Sequence, residues 1–581
     1  MHATIRPLLA ALCIGFAAPA ASPETLADLI VQYEDFNRAG DPEEIAKAAG
    51  EEPTRWADVS PQYVADRAAQ AADMLEALDA LEEPNAGPEI AILRHLLTAQ
   101  VNAHAYDTAR VPFVGDWGFF AQPPFTAMRT RANTRAKAEA WIARLNDLPR
   151  YFDDHTANMA RGIDTEWTQH ADPLATSIAQ IRSQIVEDAT ESTLFTPFLS
   201  LDSSALSEEE IAALKARGET AVENAISAYK NLLTFMEQDY APAARAGAGI
   251  AKLEGGQDAY AVHVAFHTAG AGYSPEEIHQ LGQSEVARIR ADMESIIAET
   301  GFEGSFGEFV EFLRTDPQFY ATSAEELLEK ASEMSKRLDA LLPRYFKTLP
   351  RLPYGVEAVP ASIAPGYTTG RYSGGDAEKG IAGTYLVNTY ALDQRPLYEL
   401  PALSAHEAVP GHHLQIALAQ ELVDVPEFRK SYYATAFGEG WGLYSEKLAG
   451  EADFYRTPYE RFGQLSYEMW RACRLVADTG LHHYGWTRAE AEACFNENTA
   501  LAPLNIQTEV TRYIGWPGQA TAYKVGELKI LELRASAKKA LGEDFDIRVF
   551  HDVLLGAGAM PLDALEKRIN DWIAAELEPK D

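Results

Sequence analysis

The sequence predicts a large, mainly α-helical protein with a small β-sheet near residues 350–400. Three observations carry this reading. The 581-residue chain is 47% hydrophobic and 23% charged, enough apolar sequence for a large core and too much for a disordered chain. Apolar residues recur at helical spacing behind clear capping signals. Strand signals are few and cluster after one Gly-rich stretch.

Taken in chain order, the first segment is a leader. A short basic start, an apolar run from Pro7 to about Ala18 and the triplet Ala18-Pro19-Ala20 make residues 1–20 a secretory signal peptide, cut after Ala20. The run is too short to span a bilayer. Cys13 does not mark a lipid anchor, because the bulky Leu12 stands before it. Residues 21–350 read as an N-terminal helical region. Ser274-Pro275-Glu276-Glu277 opens a helix with a capping box, and Ile278, Leu281, Val286, Ile289, Met293 and Ile297 continue it on one face. Ser323-Ala324-Glu325-Glu326 opens another in the same way. Residues 351–581 read as the region that carries the chemistry, continuous with the first. Its best strand is Thr384-Tyr385-Leu386-Val387-Asn388, after Gly374, Gly375, Gly380 and Gly383. Cys473 and Cys494 fit a disulfide in an oxidising compartment and equally two buried thiols. They do not form a C-x-x-C metal pattern.

The charge excludes some partners. With 50 basic and 86 acidic residues, the net charge of −36 repels phosphate backbones and anionic lipid, so nucleic acid is not an expected partner.

The chemistry-bearing segment is Ser404-Ala405-His406-Glu407-Ala408-Val409-Pro410-Gly411-His412-His413-Leu414-Gln415. H-E-x-x-H places two zinc-binding His on one helix face with Glu as general base. Here the second His comes six or seven residues on. On a straight helix that is about 9 Å or about 10.5 Å along the axis, whereas two nitrogens on one zinc lie only about 3.3 Å apart. Pro410 cannot donate to the His406 carbonyl, and Gly411 tolerates unusual backbone, so a break at Pro410-Gly411 is expected to return His412 to the ligand position, with His413 as the alternative. The His pair could instead cap a helix C-terminus. The third ligand is expected from Phe437-Gly438-Glu439-Gly440-Trp441-Gly442-Leu443-Tyr444-Ser445-Glu446, with Glu439 first and Glu446 its rival on the same face.

Arg474, Asp478 and His482 share a predicted helix face and read most simply as an intrahelical ion pair, with support of the metal as the other reading. His263 and His267, four apart without a neighbouring acid, read as ordinary helix residues. Arg512 and Tyr513 are candidates to hold a substrate carboxylate, and the strand containing Tyr385 to pair its edge with an extended peptide.

These motifs resemble a bacterial family, largely exported, long catalogued as a domain of unknown function. It is marked by H-E-x-x-P-G-H-H-x-Q, by E-G-W-x-L-Y-x-E and by P-G-Q-A-x-x-Y, present here at His406–Gln415, Glu439–Glu446 and Pro517–Tyr523. The family is similar in turn to the gluzincin zinc peptidases, the helical class of oligopeptidase A, thimet oligopeptidase and angiotensin-converting enzyme. The resemblance implies a two-lobed helical fold with a central cleft. It also implies Zn²⁺ held by His406, His412 and Glu439, Glu407 as general base, Tyr523 as an oxyanion donor and oligopeptides as substrates. Two other classes use the same ligands: a non-haem iron enzyme with a two-His, one-carboxylate triad, and a binding protein with a structural metal. Glu407 beside the first ligand favours hydrolysis.

Overall fold

Two hydrophobic cores organise the chain. The computed structural model describes residues 25–81, 87–115, 117–202, 204–361 and 364–579, so the signal peptide expected at residues 1–20 lies outside the described residues. The larger core gathers residues from both ends, from Leu29 through α1 (Glu89–Ala105) and on to Ile573. The smaller collects residues between Trp56 and Tyr240 around its spine, α2 (Glu208–Phe235), whose buried Leu214, Ala221, Ala225, Tyr229 and Leu232 recur every three to seven residues along one stripe.

After α2 the chain enters the larger core through α3 (Gly256–Thr268) and α4 (Pro275–Thr300). The capping box at the start of α4 is formed on both sides, and Ile278, Ile289, Met293 and Ile297 are buried as their spacing predicts. In α5 (Ala324–Tyr345), Ser323 caps Glu326, but the Glu326 carboxylate reaches back to the amide of Thr322 (2.7 Å) instead of that of Ser323. Three strands follow: β1 (Tyr354–Ala358), β2 (Gly370–Ser373) and β3 (Gly383–Val387). They form one sheet in the order β1-β3-β2, with β1 parallel and β2 antiparallel to β3. The fold is therefore mainly α with a small sheet, where the sequence places it.

The site is built from the next elements, α6 (Leu400–Glu407), α7 (His412–Gln420), α8 (Thr435–Glu451), α9 (Pro458–Thr479), α10 (Pro503–Gly515), α11 (Ala522–Leu541) and α12 (Leu562–Leu577). From Phe462 onward nearly every residue of α9 is buried, which marks a helix enclosed on all sides. Helices α8 and α11 meet backbone to backbone, since a β-carbon on Gly526 would lie 1.8 Å from the Ala436 carbonyl oxygen. Lys524 of α11 is fully buried among Glu285, Glu468 and Glu527 at 3.0, 2.8 and 2.7 Å, an ion cluster that ties α4, α9 and α11 together. Cys473 and Cys494 are joined by a disulfide, so the paired alternative holds. Among the described residues no helix is long and apolar enough to cross a membrane.

Candidate metal centre

The chain breaks where proline and glycine interrupt the motif. Helix α6 ends at Glu407, Ala408–Gly411 form a turn containing a cis Val409–Pro410 peptide, and α7 begins at His412. Glycine is required in that turn because a β-carbon on Gly411 would stand 1.9 Å from the His406 carbonyl oxygen. The His413 amide donates to the Ala408 carbonyl (3.1 Å), and the Trp441 indole N–H donates to the Pro410 carbonyl (2.8 Å), which pins the turn against α8. The axial rise of a continuous helix is thus folded back on itself. The rings of His406 and His412 come to 4.7 Å between centroids, at 87°.

Glu439 of α8 completes the group. Its Oε2 lies 3.5 Å from His406 Nε2 and 3.6 Å from His412 Nε2, and the three ligand atoms all fall within 4.8 Å of one another. Donors on a tetrahedral zinc stand about 3.3 Å apart, so two imidazoles and a carboxylate at these separations fit such an ion with a small inward adjustment. Glu446, the rival from the same face, takes a different place: His406 Nδ1 donates to its Oε1 at 2.8 Å, and Arg471 Nη2 lies 3.6 Å from the same oxygen. A carboxylate behind a ligating imidazole fixes its tautomer and raises its basicity. The glycines of α8 make room for this. A β-carbon on Gly442 would lie 2.5 Å from His406 Cε1, so only hydrogen fits there.

The electrostatics favour positive charge at the cluster. Burial opposes protonation of His406, yet its bonds to Glu439 and Glu446, with Glu407 nearby, push its pKa up to about 10 in the absence of a metal. Burial also works against ionising Glu439, and the two imidazoles more than offset it, holding the carboxyl well below its usual range. His412 Nδ1 is buried and has no hydrogen-bond partner.

Glu407, next to the first His, is buried against the sheet, where its Oε2 accepts the backbone N–H of Tyr372 in β2 (2.7 Å). His413 faces away from the cluster. Its Nδ1 meets the Tyr372 hydroxyl (2.9 Å), its ring packs on Tyr354, and burial lowers its pKa to about 4. Tyr433, which the sequence reading did not single out, donates its hydroxyl to Glu439 Oε1 (3.2 Å). Only its place six residues before Glu439 could have hinted at this.

The family described as "Bacterial protein of unknown function (DUF885)" matches residues 43–569. The chain belongs to that family. Two solved structures share the DUF885 chain's fold. One is described as "the putative lipoprotein from Colwellia psychrerythraea", 27% identical, covering 94% of this chain and 99% of that one with a TM-score of 0.85. The other is "a putative lipoprotein of unknown function from Shewanella oneidensis", 17% identical, with the same coverage and a TM-score of 0.73. No curated protein matches the chain.

The remaining sequence candidates of this DUF885 chain hold other places, and three expectations need correction. Tyr385 is fully buried, its hydroxyl 3.4 Å from Ser404 Oγ. Its strand β3 is the central one, already paired on both sides, so it has no free edge for a peptide. Tyr513 is buried too: its hydroxyl donates to Glu509 (2.7 Å) and accepts from Arg474 Nε (2.9 Å) and the Trp470 indole (3.1 Å), which leaves nothing for a substrate. Arg512 is partly exposed but engaged with Glu509 and Gln519. Tyr523 lies under the Arg474 guanidinium, 4.3 Å from ring centroid to Cζ. The intrahelical pair of Arg474 and Asp478 is not formed, because each has a better partner elsewhere. Arg474 bonds Glu509 (3.0 Å), while Asp478 accepts from Tyr260 (2.6 Å) and from the Gly518 amide (3.0 Å), anchoring the start of the Pro517–Tyr523 segment. His482 bonds the Tyr513 carbonyl (2.9 Å), so none of the three touches the cluster. His263 and His267 lie on α3 and line a cavity outside the metal centre.

Proposed function

We propose that this protein is an exported zinc peptidase that hydrolyses oligopeptides. The observation that carries the reading is the convergence of His406, His412 and Glu439, with Glu446 behind the first imidazole and Glu407 beside it. This is the ligand order of the gluzincins, reached here through a broken helix. Zinc, when bound, supplies a Lewis acid that polarises the scissile carbonyl and brings the pKa of water toward neutrality. Glu407 then takes the proton of the attacking water and delivers it to the leaving amine. The Tyr372 amide orients its Oε2 and leaves Oε1 for that transfer. Tyr523, close enough to Tyr433 for the two phenols to influence one another's ionisation, is the phenol that would donate to the oxyanion.

Export is supported by the leader-like residues 1–20, by the disulfide and by the description of two structural neighbours as lipoproteins.

Metal analysis of the purified protein, combined with a peptide-library digest read by mass spectrometry, tests the reading. Glu407→Gln is expected to keep the metal and lose turnover by at least about a hundredfold. A Glu407→Gln variant that binds zinc and cleaves peptides as well as the native protein would overturn this assignment.

A further inference from the structure

A cavity of about 1080 Å³ lies apart from the metal centre, for none of His406, His412 and Glu439 lines it. It lies between α1, α3 and α12 and adjoins the centre through two segments. Trp516 on its wall precedes Pro517–Tyr523, and His95 on its wall meets the ring of Tyr432, the neighbour of Tyr433, edge-on at 5.9 Å. Small-molecule sites span about 300–1,000 Å³, so this space is large enough for a sizeable ligand.

Its polar wall is incomplete in one sense only. The indole Nε1 of Trp572 and the Nδ1 of His267 are buried and have no hydrogen-bond partner. An indole N–H can only donate, so Trp572 calls for an acceptor. Arg568, four residues earlier on the same face of α12, donates its Nε to the Val553 carbonyl (2.7 Å). Among the described residues no carboxylate stands within ion-pairing distance of it. The other cations of the wall are matched, Arg94 by Asp79 and Lys567 by Asp571. Burial and the nearby Arg429 both work against the charge of Arg568, which an anion would relieve. The remaining wall is largely apolar, with Phe266, Trp516 and Met560 among it.

We propose that this cavity binds a carboxylate borne on an aromatic or aliphatic body, such as the C-terminal residue of a hydrophobic peptide. Arg568 and the Trp572 N–H hold the carboxylate, and Phe266, Trp516 and Met560 cover the body. The proposal does not depend on the metal chemistry.

The probes are N-acetyl-phenylalanine and its amide, titrated into the full-length protein as purified and after chelation, by calorimetry and tryptophan fluorescence. The acid is expected to bind on the order of tenfold more tightly than the amide in both preparations, the scale of one charge-assisted hydrogen-bond pair. Arg568→Gln should erase that preference while the amide binds as before, and Trp572→Phe should weaken the acid severalfold. Should Arg568→Gln fail to fold, Trp572→Phe decides alone. Equal binding of acid and amide overturns the proposal, as does no binding at millimolar concentration. Acid binding that vanishes on chelation and ignores both substitutions does so too, since it would place the ligand on the His406–His412–Glu439 cluster.

Discussion

Replacing Gly442 by alanine puts a methyl group where the imidazole of His406 now lies. A β-carbon there would stand 2.5 Å from Cε1, 2.7 Å from Nε2 and 2.8 Å from Nδ1. Carbon contacts settle at about 3.5–4.0 Å, so the ring must retreat by about 1 Å. It is not free to do so, because Glu446 holds Nδ1 at 2.8 Å and Glu439 stands 3.5 Å from Nε2. For stability two terms compete. Alanine in a helix interior gains up to about 1 kcal/mol over glycine, and overpacking costs about 1–3 kcal/mol, so the metal-free variant should be up to about 2 kcal/mol less stable. For the metal, a 1 Å displacement is about half a zinc–nitrogen bond, and disturbing the shell that orients a ligand typically costs about 10–100-fold in affinity. Thermal unfolding with and without zinc reads both effects. At a zinc concentration about 100 times the native Kd, the native protein gains about 2.7 kcal/mol, whereas a variant about a hundredfold weaker gains only about 0.4 kcal/mol. An alanine variant with the native metal-induced shift would refute the reasoning. His406 would then either tolerate the methyl group or not be a ligand.

Three further outcomes are expected. His412→Ala should abolish stoichiometric zinc binding while His413→Ala retains it, since only His412 faces Glu439; metal analysis after dialysis distinguishes them, and the reverse result would reassign the ligand. Replacing Cys473 and Cys494 together by serine opens a loop with a sequence separation of 21, which chain entropy values at about 3 kcal/mol, measurable as a lower denaturant midpoint. Asp478, pushed up to about 7 by burial, remains protonated in the folded protein while the unfolded chain ionises from about pH 4. The folded state therefore holds the extra proton between those values, and stability falls as pH rises through that window. Asp478→Asn, which does not titrate, should gain melting temperature relative to the native protein from pH 5 to pH 8; parallel curves would mean the carboxylate is ionised throughout.

Much of the candidate site was legible because its logic is local. A proline without a donor and a glycine without a side chain must disturb a helix wherever they stand, so the spacing of His406 and His412 already implies a break if both bind one ion. The helix start at Ser274 and the place of the sheet were legible for the same reason. Roles that depend on what an element packs against were not. Tyr385 sits on a strand that reads as a free edge until β1 and β2 are seen on either side of it. Tyr513 looks available in sequence, and Arg474 looks paired with Asp478; only the fold shows the two bonded to one another and to Glu509.

By itself the sequence determined a helical chain of strong negative charge, its family motifs, and a short list of imidazoles and acids from which a metal centre would be drawn. The tertiary structure alone decided the division of labour: Glu439 toward the His406 and His412 Nε2 atoms, Glu446 behind His406, His413 turned to the sheet, the two cysteines joined, and a cavity set apart whose Arg568 meets no carboxylate among the described residues. The reason is the range of the forces involved. Capping, proline chemistry and periodicity act within a few residues, whereas which of two acids seven apart on one helix face meets a given nitrogen depends on how closely two helices approach, and here that is set by glycines contacting partners far away in the chain.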